Sequence, residues 1–156
     1  MGVEIERKFL VKLDKFNKEG LAKNRIIQGF LNSDKERVVR VRVSDNQGFL
    51  TIKGLSDASG IRRFEWEQEI PLADAQDLLQ LAEPGIIEKY RYHISCGDHV
   101  FEVDEFLNDN AGLVLAEIEL SDENEVFEKP SWLGKEVTGI SKYYNASLSK
   151  LSYKDW

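Results

Sequence analysis

"VEIERKFLV", residues 3–11, has the period-two alternation of a β-strand, and the two faces it defines are chemically unlike. Val3, Ile5, Phe9 and Val11 fall on one face, interrupted by Arg7; Glu4, Glu6 and Lys8 fall on the other. Like charges at neighbouring same-face positions repel unless water, a cation or a ligand separates them. The face is therefore either solvated or built to hold something.

The alternation recurs along the chain. "NRIIQGFLN" (24–32) and "RVVRVRVS" (37–44) read as strands around the turn-like "SDKE", and "GFLTIKG" (48–54) follows the turn "SDNQG". "IRRFEWEQEIPL" (61–72) is a long strand closed by Pro71. "IIEKYRYHIS" (86–95) and "HVFEVDEFL" (99–107) flank "CGD" as a hairpin, and "LVLAEIELS" (113–121) is the last clear strand. Helices are expected over 14–23, 73–82 and 141–151. The sum is an α+β, mainly β chain: about eight antiparallel strands, best closed into a barrel with a few helices outside, since closure leaves no long edge exposed. One domain over residues 1–156 suits the length.

One face of each strand is ionic. Arg40 and Arg42 alternate with Val39, Val41 and Val43; Lys53 shares a face with Thr51; Arg63, Glu65, Glu67 and Glu69 line one side of their strand. Lys89 and Arg91, Glu102 and Asp104, and Glu117 and Glu119 repeat the arrangement. A wet sheet face accounts for any one pair. The whole set, nearly all ionic and grouped by sign within strands, fits a solvated surface and a polar cavity inside a wide barrel equally well. In a cavity, the basic strands would bind a polyanion. The Glu-x-Glu pairs would bind a hard divalent cation such as Mg²⁺ or Mn²⁺ through oxygen. A polyphosphate with its metal needs both surfaces at once.

Composition narrows the alternatives. A net charge of −7 disfavours general nucleic-acid binding. No apolar run is long enough for a bilayer, and "MGVEIE" carries neither an apolar signal segment nor the Ser/Thr of a myristoylation signal, so a cytoplasmic chain with no membrane partner is expected. Cys96 alone gives no disulfide framework and sits in a turn, unmarked as a nucleophile. His93 and His99, without a cysteine cluster or HExxH, argue against zinc, although His93 shares a face with Lys89 and Arg91. No GxxxxGK[ST] or GxGxxG is present, so a phosphate site here is not a P-loop or Rossmann turn. Asn145 in "NAS" matches a glycosylation sequon by coincidence in such a chain. Trp66 and Trp132 are expected in the core, and a 141–151 helix could cap one barrel mouth, with Lys142 toward solvent.

The ordered set "EIERKFLV", "IIQGFL", "VRVR", "TIKG", "FEWEQEI", "EKYRY", "EVDEF", "AEIEL" and "VTGISKYYNASL" resembles the CYTH superfamily, the triphosphate tunnel metalloenzymes, over nearly the whole chain. The resemblance implies an eight-stranded antiparallel tunnel that binds triphosphate compounds with divalent metal, Mg²⁺ or Mn²⁺. The "EIERKFLV" opening looks most like that of small bacterial inorganic triphosphatases. By that likeness Glu4 and Glu6 match metal glutamates, Lys8 a phosphate-binding lysine, and Glu117 and Glu119 a late Glu-x-Glu in which Glu119 is the direct ligand. Arg40, Arg42, Lys53, Lys89 and Arg91 match the phosphate cradle; Glu67, Glu69 and Asp104 match further tunnel acids that hold the basic residues in place or help a second metal. Lys8, Glu117 and Glu119 would serve catalysis, with water activated by metal or by a carboxylate such as Glu117. Many relatives read "QGY" where this chain has "QGF", so no tyrosine hydroxyl acts at Phe30. A monomer or homodimer hydrolysing inorganic triphosphate is expected. A class IV adenylyl cyclase, a thiamine or nucleoside triphosphatase, and a non-catalytic polyphosphate or nucleotide sensor are the rivals.

Overall fold

Strands with one ionic and one apolar face can enclose the ionic side by rolling up, leaving the apolar side to be covered from outside, and this chain does so. The computed structural model describes residues 2–156. Its strands are β1 (Gly2–Val11), β2 (Lys23–Asn32), β3 (Arg37–Ser44), β4 (Gln47–Ser56), β5 (Arg62–Ile70), β6 (Ile87–Cys96), β7 (His99–Phe106), β8 (Val114–Glu119) and β9 (Leu133–Glu136). The helices are α1 (Leu72–Leu79) and α2 (Asn145–Leu148). Neighbours run β5-β4-β3-β2-β6-β7-β8-β1-β9, and an additional β5–β1 pairing closes the first eight into a barrel.

β1 is the seam. Gly2–Ile5 pair with β5, Glu6–Leu10 pair with β8, and Phe9 and Val11 turn to β9. The expected closed barrel of eight antiparallel strands is thus present, with β9 added. β9 has only four residues, "LGKE", too few for an alternating pattern to register.

Two apolar clusters account for the remaining side chains. The first lies outside the barrel wall. Ile5, Phe9, Phe101, Val103, Ala116 and Ile118 are covered there by Phe127 and Trp132 from the β8–β9 connection and by Leu133 of β9. Phe101 stands edge-on to Phe127 and Trp132, with ring centroids 6.1 and 5.3 Å away. Burying such a ring contributes roughly 1.5–3 kcal/mol. The second cluster comprises Phe30, Val38, Ile87, Phe106, Leu113, Leu115, Val137 and Leu148. Val38, Ile87, Phe106 and Leu115 each sit two residues from Arg40, Lys89, Asp104 and Glu117 respectively, on the same inward face. They form an apolar plug in the barrel, and the charged side chains occupy the rest.

α1, where a helix was expected over 73–82, packs outside on β3 and β4. Contact is close enough that a Cβ at Gly48 would come within 2.7 Å of the Ala75 Cβ. Three other expectations are corrected. Where a helix was expected over 14–23, residues 14–22 form turns and coil and Lys23 opens β2, because Phe16 is pinned edge-on against Tyr92 and Trp132 instead of contributing to a helical stripe. The 141–151 helix is interrupted at Tyr144 (φ −71°, ψ 141°), which leaves a 3₁₀ turn at Ser141–Tyr143 and the short α2. Trp132 is buried as expected, but Trp66 is only half-buried, opposite Ile52 on the outer face of β5. The C-terminal segment reaches the barrel over Gly85 (φ +100°), where a Cβ would fall 1.9 Å from the Ser149 carbonyl oxygen. No helix among the described residues is long and apolar enough to cross a membrane.

Candidate active site

Inward-facing charges enclose a passage. A cavity of about 520 Å³ opens beside the C-terminal segment and is lined there by Tyr144, Asn145 and Lys142. A second of about 190 Å³ lies toward Arg42, Glu65, Glu102 and Glu119. Glu4, Glu6, Arg40, Lys53, Arg91 and Glu117 line both, so the two spaces adjoin across a charged middle.

The basic residues divide into those held by protein acids and those left open. Arg91 grips Asp104 with two bonds, Nε to Oδ1 at 2.8 Å and Nη2 to Oδ2 at 2.9 Å, and reaches Glu102 at 3.0 Å. Lys89 Nζ lies 2.8 Å from Asp104 Oδ2. Burial lowers the Lys89 ammonium to about 8, with Asp104 offsetting part of the effect. Burial likewise opposes the Arg91 charge, yet Asp104 holds its pKa well above the ordinary value. Burial also opposes ionisation of Asp104, but Arg91 and Lys89 outweigh it and keep the carboxyl well below the usual range.

Arg40 and Arg42 are less satisfied. Arg42 Nη2 lies 3.3 Å from Glu67 Oε1, and Arg40 Nη2 donates to Thr51 Oγ1 at 3.3 Å. The Nε donors of both are buried without an acceptor. Burial and the neighbouring guanidinium lower Arg40 to about 10, and burial with Arg91 lowers Arg42. Both remain cationic at neutral pH with donors to spare, which costs free energy until an anion arrives.

Opposite them, acids crowd one another. Glu6 and Glu119 are register partners across β1 and β8, as are Lys8 and Glu117. Burial, then Glu117 and Glu4, raise the Glu6 carboxyl well above its ordinary value. Burial, then Glu4 and Glu102, raise Glu119. Glu117 escapes this: burial opposes its charge, but Lys8 Nζ at 3.3 Å pulls its pKa down. Burial opposes the Lys8 charge too, and Glu117 and Glu6 raise it above the ordinary value. Lys53 Nζ stands 3.1 Å from Glu4 Oε2 and 3.4 Å from Glu65, yet that Glu4 oxygen is buried and accepts no hydrogen bond.

No three His, Cys, Asp or Glu side chains among the described residues converge closely enough to hold a metal ion by themselves. Mg²⁺-like ions commonly take one or two carboxylates and complete their shell with water and substrate phosphates. The mutual repulsion of Glu4, Glu6 and Glu119 fits an ion of that kind.

Most residues singled out from the sequence therefore meet in the passage. Glu69 does not: it is exposed on β5, accepts from Gln47 at 3.3 Å and lines neither cavity. Asp104 is present, but buried behind Arg91 and Lys89. His93 is exposed, 3.4 Å from Glu102, and His99 pairs with Glu125 outside the barrel. Phe30 is buried in the plug and borders the larger cavity. Lys142 is exposed at that cavity's mouth, its Nζ 4.4 Å from the Trp156 ring. The lining also includes residues that went unselected, among them Arg63, whose Nε donates to the Gly54 carbonyl at 2.6 Å, Tyr144 and Asn145. Alternation with Glu65 marked Arg63; the other two lie where a continuous helix was expected.

A passage of this charge pattern has known relatives. The chain is 49% identical over its full length to an inorganic triphosphatase of Acetivibrio thermocellus, covering 99% of that protein. It superposes on the crystal structure of the inorganic triphosphatase NE1496 with a TM-score of 0.65 and 31% identity, over 94% of this chain and 97% of that one. A Pyrococcus horikoshii protein, PH1012, shares the fold at 20% identity and a TM-score of 0.60, over 77% of this chain and 80% of its own. The CYTH domain matches residues 2–153, and the chain belongs to the CYTH family.

Proposed function

We propose that the chain hydrolyses inorganic triphosphate to phosphate and pyrophosphate within its barrel, with Mg²⁺ or Mn²⁺. The observation that carries this reading is the pairing, across one passage, of buried arginine donors lacking acceptors with carboxylates whose charges repel. A polyphosphate–metal complex satisfies both. The identity to an inorganic triphosphatase supports the substrate.

Arg40, Arg42 and Arg91 grip phosphate oxygens, with Lys8, Lys53 and Lys89 supplying single ammonium donors. Glu4, Glu6 and Glu119 would hold the divalent ion, which supplies charge neutralisation at the phosphate oxygens. Glu117 stays ionised against Lys8. It fixes the ammonium and accepts a hydrogen bond from the attacking water, so that the water oxygen faces the terminal phosphorus. The new P–O bond forms there as the bridging P–O bond breaks and pyrophosphate leaves, and the proton lost by the water passes to a phosphate oxygen of the products. Positioning and charge do most of the work in such a transfer, and no covalent intermediate is needed.

Phosphate release from tripolyphosphate with each metal tests the proposal. Release that stops on adding a chelator supports it. Binding of tripolyphosphate without release would favour a sensor instead.

A further inference from the structure

We infer that Asn145 is a phosphate-binding residue of this passage, carried in by the C-terminal segment and oriented by Lys89 and Gln28. The inference rests on the triphosphatase reading and extends it to a side chain outside the barrel strands.

Lys89 Nζ lies 2.9 Å from Asn145 Oδ1, and Gln28 Nε2 donates to the same oxygen at 2.7 Å. An ammonium has donors only, so the amide atom facing Lys89 is the oxygen. Two donors fill that oxygen's lone pairs and fix the amide plane. Asn145 borders the larger cavity, and its Nδ2 has no hydrogen-bond partner among the described residues and is not fully buried. It therefore presents N–H groups to the open space. Lys89 has three donors, of which Asp104 and Asn145 take one each, and it lines the same cavity. One anionic oxygen bound there would be served by both groups. Gln28 is fully buried, so the support beneath Asn145 is rigid.

A purely structural Asn145 would act through its oxygen alone, by tying the C-terminal segment to Lys89. Asn145→Asp separates the roles. The aspartate keeps an oxygen for Lys89 and Gln28 but replaces the N–H donors with negative charge. Asn145→Ala removes both. Losing a hydrogen bond to a charged group predicts a fall in kcat/KM of about tenfold or more for Asn145→Ala. Asn145→Asp should fall further, with KM rising most, while its melting temperature without ligand stays at or above that of Asn145→Ala. The stabilisation of each variant by tripolyphosphate and Ca²⁺ gives a second readout that needs no turnover, and it should follow the same order. Asn145→Asp as active as Asn145→Ala, or more so, would overturn the assignment while leaving the triphosphatase reading intact. Wild-type protein inert to tripolyphosphate would overturn both.

Discussion

Glu6 of β1 and Glu119 of β8 face each other as register partners at the seam of the barrel, and both carboxyls are harder to ionise than ordinary glutamates. The strand that closes the fold is thus also the one that concentrates unrelieved negative charge. Stability and function compete at this seam, and the competition can be measured.

In chelator, Glu6→Gln should melt higher than the wild type at neutral pH. The sign follows from the raised pKa: Glu6 favours the folded state only while protonated, and that contribution is lost as pH rises through the folded value. The gain from Glu6→Gln should therefore shrink as pH falls from the raised folded value toward the usual carboxylate range and be gone below it. With Mg²⁺ and tripolyphosphate the order reverses in activity, where Glu6→Gln should lose most turnover. Near-normal turnover at limiting Mg²⁺ would remove Glu6 from the metal site. Melting curves across pH and steady-state rates supply both readings.

Asp104→Asn should destabilise the fold by about 3 kcal/mol or more, as expected when one partner of a buried ion pair is removed. Arg91 and Lys89 would lose their shared carboxylate. The depressed pKa of Asp104 has the opposite pH sign to Glu6: its contribution is present above the unfolded value and disappears as pH falls through the lower folded one. Acid unfolding of the wild type should therefore extend well below pH 4, and Asp104→Asn should remove part of that limb. Denaturant titrations at several pH values check both parts.

Arg42→Ala should lower kcat/KM for tripolyphosphate about 10²-fold, or about 3 kcal/mol, if Arg42 acts as one preorganised electrostatic donor. Rates are compared at fixed ionic strength because salt screens such contacts. A change below threefold would assign Arg42 to ion pairing with Glu67 alone.

The barrel was legible because its strands repeat a two-residue period, and a one-residue slip would turn every Val opposite Arg40 and Arg42 into the passage and the arginines out of it. The same period exposed Glu4, Glu6, Lys8, Lys53, Lys89, Arg91, Glu117 and Glu119, since a charge facing inward must sit between outward hydrophobes. It could not say how far along the barrel a residue lies. Glu69 therefore looked equivalent to Glu67, although it stands exposed beyond the cavity lining. Nor could it reveal the apolar plug, whose Phe30, Val38, Ile87 and Leu115 follow the charged face by position and the core by chemistry. Asn145 was hidden for another reason: its place in the lining depends on a backbone break at Tyr144 that folds it toward Lys89, while its sequence neighbours favour a continuous helix.

The passage offers many cations to phosphate and no evident set of groups for a base, and tripolyphosphate can place both terminal phosphates among those cations. ATP must leave its nucleoside at a mouth. Rates for tripolyphosphate and ATP, measured side by side with Mg²⁺ and with Mn²⁺ and with products identified, should give kcat/KM well higher for tripolyphosphate, releasing phosphate and pyrophosphate. ATP turned over equally well, or cyclic AMP as its main product, would contradict an inorganic triphosphatase and favour a nucleotide enzyme built on the same barrel.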